Sequence, residues 1–250
     1  MIRRPMSYIR PLRPLAVAMF VLLVPLFLIT TNVRLVINWP RLYSNGFDKY
    51  EDYITTYLDV ERSEYLLAGK QIRDYFENDE ELIDVRVVLG GIRQSIFNER
   101  EVLHMQDVKG LVRGVYRMGE AAALYLVVFS LAGLALGRRA FLPRLWRYVS
   151  IGGMVTLGLV VAVGLGALVG FDRLFLAFHL ISFSNDFWQL VPWQDNLIAM
   201  FPQGFFFDAT MWVALATIGE ALVLAAVPPA IRIWRDHRAQ REPVSSTAAA

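Results

Sequence analysis

The sequence predicts an all-α membrane protein with four transmembrane helices, both termini cytoplasmic, and two extracytoplasmic segments capping the bundle. Three observations carry that expectation. Hydrophobic residues are 56% of the 250 and mean hydropathy is +0.41, above the roughly 45–50% apolar share of an ordinary domain. The excess sits in four unbroken blocks, each matching the about 20 residues that span a hydrocarbon core of about 30 Å. A cluster of arginines flanks each block on one side.

The first block, 15–37, follows a basic stretch, 1–14, that holds Arg3, Arg4, Arg10 and Arg13. It resembles a signal peptide, but no A-x-A site follows and Val33, Leu35, Val36 and Ile37 keep it apolar, so it reads as an uncleaved anchor. The second block, 119–137, and the third, 148–170, are joined by a loop, 138–147, with Arg138, Arg139, Arg144 and Arg147. The fourth, 209–231, runs into a tail, 232–250, with Arg232, Arg235, Arg238 and Arg241. Short arginine-rich flanks resist translocation, which puts all three clusters in the cytoplasm. Segments 38–118 and 171–208 then face outward, and the first carries 11 basic against 15 acidic residues. Within the third block, Gly166-x-x-x-Gly170 permits a close helix contact.

Composition also removes function classes. Charge is nearly balanced, 25 basic against 23 acidic residues, which leaves no basic footprint for nucleic acid. With no cysteine, disulfides, thiolate nucleophiles and cysteine-bound metals are excluded. No cofactor is expected, and chemistry falls to histidine, carboxylates, hydroxyls or the backbone.

In the first outer segment a turn at Asn45-Gly46 precedes Tyr50, Tyr53, Ile54 and Tyr57, and Tyr65, Ile72 and Phe76 form a second helical stripe. Two readings stand: amphipathic helices lying at the membrane interface, or a small helical cap packed on itself. A polar break at 78–81 leads to 82–88, a partly alternating strand candidate closed by Gly90-Gly91. Asn98 with Glu101 then approaches a capping box. On the helix it starts, Arg100, His104 and Asp107 share one narrow arc, so a carboxylate and a guanidinium bracket an imidazole.

The second outer segment is short and aromatic, with Phe175, Phe178, His179, Phe183, Trp188 and Trp193 mixed with Asn185, Asp186 and Asp195. It is expected to sit in the headgroup layer over the bundle mouth, either as a passive aromatic belt or as part of a site. Of the three histidines, His237 lies in the basic tail, while His104 and His179 are both expected on the outer face near the ends of spans. Imidazole moves protons near neutral pH because its unperturbed pKa is about 6.5. A metal held by His104, His179 and Asp107 or Asp195 is the competing use, unsupported by a ligand-spacing motif. Glu220, in the fourth block, is a further candidate because an ionisable group within a span is costly, unless it is protonated or paired with a hydroxyl.

Residues 99–109, with Arg100-Glu101-x-x-His104-Met105-x-Asp107-Val108, resemble the RE-x-x-HM-x-DV signature of the Lit family, bacterial lipoprotein intramolecular transacylases. Phe178-His179-x-Ile181-x-Phe183, followed by Trp188, Pro192, Asp195, Leu197-Ile198, Phe201-Pro202 and Phe205-Phe206, resembles that family's second signature. Val191 stands where an acidic residue is expected before the proline. The resemblance implies transfer of an acyl chain from the sn-2 position of a diacylglyceryl lipoprotein to its own N-terminal cysteine amine, in the bacterial cytoplasmic membrane with the site on the extracytoplasmic face. It makes His104 and His179 the catalytic pair, with Arg100, Asp107, Asp195 and Trp188 supporting; lipoprotein and membrane lipid are the partners. The alternatives are a related acyl-ester hydrolase, and a non-enzymatic module that binds lipid or a partner through the aromatic segment.

Overall fold

In the computed structural model, residues 12–241 are described, with side chains described for 13–226. Arg3, Arg4 and Arg10, the side chains of Arg232, Arg235, Arg238, Arg241 and His237, and the chain ends assigned to 1–11 and 242–250 lie outside the described residues. The elements in chain order are α1 (Leu12–Ile37), α2 (Pro40–Tyr57), α3 (Arg62–Glu77), β1 (Arg86–Leu89), β2 (Ile92–Ser95), α4 (Glu99–Gly137), a 3₁₀ turn (Arg138–Ala140), α5 (Leu142–Ser182), α6 (Asn196–Met200) and α7 (Gln203–Arg241). Four helices among the described residues are long and apolar enough to cross a membrane, within Arg13–Ile37, Glu99–Ala140, Leu142–Ser182 and Gln203–Ala226.

The long helices extend past the apolar blocks that predict them. The 39 residues of α4 are about 58 Å long at 1.5 Å per residue, about twice the hydrocarbon thickness. Its start is a reciprocal capping box, in which the Asn98 side chain accepts from the Glu101 N–H at 3.0 Å and the Glu101 carboxylate accepts from the Asn98 N–H at 2.8 Å. Helix α5 departs from helical backbone at Gly170 and then resumes to Ser182. Residues 171–182, expected to belong to a connection, are helical: Leu174–Ile181 is apolar but for His179, and no proline stops the helix.

The chain divides into two units. Among the described residues, the first holds 12–28, 121–160 and 217–241, and its buried cluster is small: Phe20, Val24 and Leu28 with Tyr125, Phe129 and Tyr148 packed around them. Close approach of α5 to α7 rests on Gly153, where a Cβ would lie 2.8 Å from the Ala225 nitrogen and 2.9 Å from the Ala221 oxygen. The Gly166/Gly170 pair makes no such contact, since a Cβ on Gly170 meets nothing within 4 Å. Ser150 donates to the Ala225 carbonyl at 3.1 Å, and Tyr125 to that of Ala16 at 2.9 Å.

The second unit, 29–120 with 161–216, has a core of its own. Tyr43, Phe47, Ile54, Tyr65, Ile72, Tyr75 and Phe76 from α2 and α3 are buried with Val85, Val87, Phe201 and Phe205. Of the stripes read from the sequence, Ile54, Tyr65, Ile72 and Phe76 are buried in this core, while Tyr50 and Tyr53 are partly covered and Tyr57 is exposed. The 78–81 break is a turn fastened to α4, as Lys109 donates to the Asn78 side chain (3.0 Å) and Arg113 pairs with Asp79 (3.1 Å).

The strand expected over 82–88 is shorter and later, with β1 antiparallel to β2 in the register Arg86↔Ser95 to Leu89↔Ile92. Its two-residue turn has positive φ at both Gly90 (58°) and Gly91 (80°), which glycine adopts without a Cβ penalty.

Candidate active site

Helix spacing alone puts His104 one turn past Arg100 on α4, and the resumed segment of α5 carries His179 in its last turn. Both lie within the second unit, where the rings come together with centroids 6.2 Å apart and planes inclined by 30°. Each is almost covered, at 7% and 8% exposure. Phe183 packs edge-on to His104 at 5.2 Å and against His179 at 5.6 Å, while Trp188 lies 5.1 Å from His179. The pair opens on a cavity of about 740 Å³, lined also by Tyr53, Phe175, Leu190, Ile198 and Phe206, with Asp172 and Gln203 bonded to each other at 2.9 Å.

The hydrogen bonds distinguish the two imidazoles. His179 Nδ1 lies 2.7 Å from the carbonyl of Phe175. A carbonyl only accepts, so Nδ1 carries the proton and Nε2 a lone pair. His104 Nδ1 is buried with no hydrogen-bond partner. Both residues lie outside the apolar blocks 119–137 and 148–170, and burial lowers the pKa of each. His104 falls to about 4, through desolvation first and the neighbouring His179 second, with Asp107 acting in the opposite direction. In His179 the Phe175 carbonyl opposes the effect of burial. Burial thus favours the neutral form of both imidazoles.

The supporting residues all lie in the second unit; Trp188 packs on His179, whereas Arg100, Asp107 and Asp195 bond to groups other than the imidazoles. Asp107 does not bond to His104; its carboxylate accepts from the Asn185 side chain at 2.8 Å. Arg100 donates to the Asp186 carbonyl at 2.6 Å. Both thus reach past the imidazole to hold the start of the 183–195 segment, because their side chains leave the helix where that segment passes. Asp195, 4% exposed, accepts from the Asn98 side chain at 2.9 Å and from the Val191 N–H at 2.7 Å. Where the resemblance leads one to expect an acidic side chain, Val191 contributes its backbone to a carboxylate from elsewhere. Asp107 and Asp195 have these other partners, and among the described residues no group of three or more His, Asp or Glu could hold a metal ion. Glu220 is exposed on α7 in the first unit.

Sequence reasoning missed the second task of Glu101. It is fully buried, and besides closing the capping box its carboxylate accepts a hydrogen bond from the Leu197 N–H at the start of α6. Burial raises its pKa to about 7, against the pull of the Asn98 and Leu197 N–H groups. The capping box was readable from spacing; the α6 contact, 96 residues away in sequence, left no local signal.

A family model described as lipoprotein intramolecular transacylase Lit matches residues 18–206. Among solved structures, the chain is similar to the membrane integral lipoprotein intramolecular transacylase Lit from Bacillus cereus, with a TM-score of 0.74 at 18% identity over 90% of this chain and 97% of that one. Two variants of that protein, each with one histidine replaced, match with TM-scores of 0.70 at 18% and 17% identity, covering 92% and 94% of this chain and 96% and 100% of theirs. At such identities the likeness concerns the fold. An uncharacterized protein of Aquifex aeolicus (strain VF5) is 28% identical over 119 residues, 48% of this chain and 50% of that protein. The match thus spans about half the length of that curated relative.

Proposed function

The chain belongs to the Lit family, and from that premise we propose that it is an acyltransferase that moves the sn-2 acyl chain of a diacylglyceryl lipoprotein to the α-amine of its N-terminal cysteine. The product is a lyso-form lipoprotein, N-acylated and S-monoacylglyceryl. The observation that carries this reading is the pair of buried imidazoles, ring centroids 6.2 Å apart on the wall of one cavity.

The reaction is an ester aminolysis, in which an N–C(acyl) bond forms and an O–C(acyl) bond breaks. A proton must leave the amine, whose unperturbed pKa is about 7.7–8.0, and one must reach the departing glyceryl oxygen. His179 is the base, because its Nδ1–H is spent on Phe175 and Nε2 is free to accept. His104 is the acid. An orphaned buried acceptor is cheaper than an orphaned N–H, so its bare Nδ1 leaves the proton on Nε2. Such proton transfers contribute typically 10²–10⁴-fold each. Amine and ester belong to one molecule, so positioning in the cavity replaces a covalent enzyme intermediate. Trp188 packs directly on His179, and Arg100, Asp107 and Asp195 act indirectly, by holding the 183–195 segment against the histidines.

In this reading the protein sits in the bacterial cytoplasmic membrane with spans 15–37, 119–137, 148–170 and 209–231. Segments 1–14, 138–147 and 232–250 are cytoplasmic, and 38–118 and 171–208 cap the extracytoplasmic face. The arginine distribution supports that orientation. Reconstitution of the wild type with a diacylglyceryl lipoprotein, followed by mass spectrometry of its N-terminal peptide, tests the reading. The wild type yields the N-acylated lyso-product, and His104→Ala and His179→Ala yield none while remaining folded. Unchanged product from both variants overturns the assignment, and free fatty acid in place of N-acylation replaces the transferase with a hydrolase.

A further inference from the structure

The ester consumed in the proposed reaction is also the commonest ester of the surrounding bilayer. A diacylglyceryl lipoprotein and a glycerophospholipid carry the same acyl ester on the same glycerol carbon. They differ at the third carbon. In the lipoprotein it bears a thioether to cysteine, whose α-amine has an unperturbed pKa of about 7.7–8.0 and is mostly cationic at neutral pH. In the phospholipid it bears an anionic phosphodiester. Only a few bonds separate either charge from the ester, so with the ester at the histidines both charges fall in the same part of the cavity. The sign of that charge is what the protein can read.

The cavity wall is suited to reading it. Among the described residues that line it there is no lysine or arginine, and Asp172 is the one carboxylate. Asp172 stands seven residues before His179 on the resumed segment of α5, hence on the same face and about 10 Å away along the axis. Gln203 donates to one of its oxygens at 2.9 Å, and among the described residues no basic side chain pairs with it. Two arginines are near in sequence to the wall. Arg173 leaves the helix about 100° round from Asp172, and Arg100 is turned to the Asp186 carbonyl; neither lines the cavity.

We propose that Asp172 is a specificity-determining residue, whose carboxylate draws the cationic α-amine of a lipoprotein into the cavity and repels the phosphate of phospholipids that carry the same ester. This rests on the transacylase reading above. At about 10 Å the carboxylate acts through its field and forms no ion pair with the reacting amine, which stays free to give its proton to His179. Asp172 is exposed, so the effective dielectric lies toward that of water, and each charge gains or loses roughly two- to fivefold in affinity.

The test uses the full chain in nonionic mixed micelles with a diacylglyceryl lipopeptide as substrate. Two competitors share its esters: phosphatidylglycerol, which is anionic, and diacylglycerol, which is neutral. Asp172→Asn keeps an oxygen for Gln203 and removes the charge. It raises the KM of the lipopeptide and lowers the inhibition constant of phosphatidylglycerol, each roughly two- to fivefold. The kcat and the diacylglycerol constant do not change, and Asp172→Glu behaves as the wild type. Should Asp172→Asn fail to fold, the wild type decides alone. Salt raised from about 0.05 to about 0.5 M screens charge but not shape, so it shifts the lipopeptide and phosphatidylglycerol constants in those same directions and leaves diacylglycerol unmoved. Constants that respond neither to Asp172→Asn nor to salt overturn the proposal. So does a diacylglycerol constant that moves as far as that of phosphatidylglycerol, which would make Asp172 a packing residue. No turnover of the lipopeptide by the wild type overturns the transacylase reading itself, and the named substrate with it.

Discussion

The two units solve opposite problems. In the first, apolar side chains point outward, with Leu131 62% and Leu136 89% exposed, and helices meet through small residues such as Gly153. The second buries Tyr65, Tyr75 and Glu101 and fastens its helices with polar side chains. In lipid no hydrophobic force drives helices together, so contact depends on shape and a few hydrogen bonds. The second unit instead builds a core and satisfies most of the polar groups it buries, the Tyr65 hydroxyl and His104 Nδ1 being left without a partner. The difference teaches why both histidines reside there: an imidazole pair needs fixed walls and neighbours, which an aromatic core with polar clamps supplies.

The contrast can be broken at four points. Glu101→Ala has the largest expected effect, because the Asn98 and Leu197 N–H groups lose their acceptor inside the core. A loss of about 2–5 kcal/mol is expected, with Glu101→Gln recovering part of it. Thermal unfolding in detergent measures it, and a melting temperature equal to the wild type would show that the clamp holds nothing.

Acid comes next. Between the ordinary imidazole value of 6.5 and about 4, the unfolded chain takes up a proton that folded His104 refuses. Stability therefore falls as pH drops through that window, by at most about 3 kcal/mol. Glu101, with its pKa raised to about 7, acts in the opposite sense, favouring the folded state as pH falls from about 7 toward its ordinary 4.5. His104→Asn should remove the loss alone, so its melting temperature declines less than that of the wild type on acidification. Parallel declines would refute the assignment.

In the first unit, Gly153→Ala forces a Cβ onto the backbone of α7. A cost of about 1–3 kcal/mol is expected, with turnover preserved at low temperature; lost turnover in a folded variant would contradict the division of labour. The smallest effect is that of Tyr125→Phe, which removes one hydrogen bond to the Ala16 carbonyl. About 1 kcal/mol or less is expected, read as a shift of a few degrees with unchanged activity.

Much of this was legible beforehand where the signal is local. Apolar blocks announce the four long helices, the Asn98/Glu101 spacing announces the start of α4, and Gly90-Gly91 announces the end of β1, though not the strand β2 that follows it. The expected connection at 171–182 failed because a kink at Gly170 leaves no mark that separates a helix that bends from one that ends. The expected pairing of Asp107 with His104 failed for another reason. Helical spacing shows which residues share a face, but not which neighbour competes for them, and Asn185 lies 78 residues away.

By itself, the sequence determined the membrane character, the helices, the absence of thiol chemistry and, through two signatures, the family and the two histidines. The first three follow from composition and periodicity and the last two from resemblance to short signatures, all of them properties of single segments. Only the tertiary structure decided that the imidazoles face one cavity, that Phe175 sets the tautomer of one while the other is left bare, that Glu101 ties α4 to α6, and that Asp172 stands on the wall of that cavity. Each depends on pairing groups far apart in the chain, and a linear pattern carries no record of which partner a buried polar group will find.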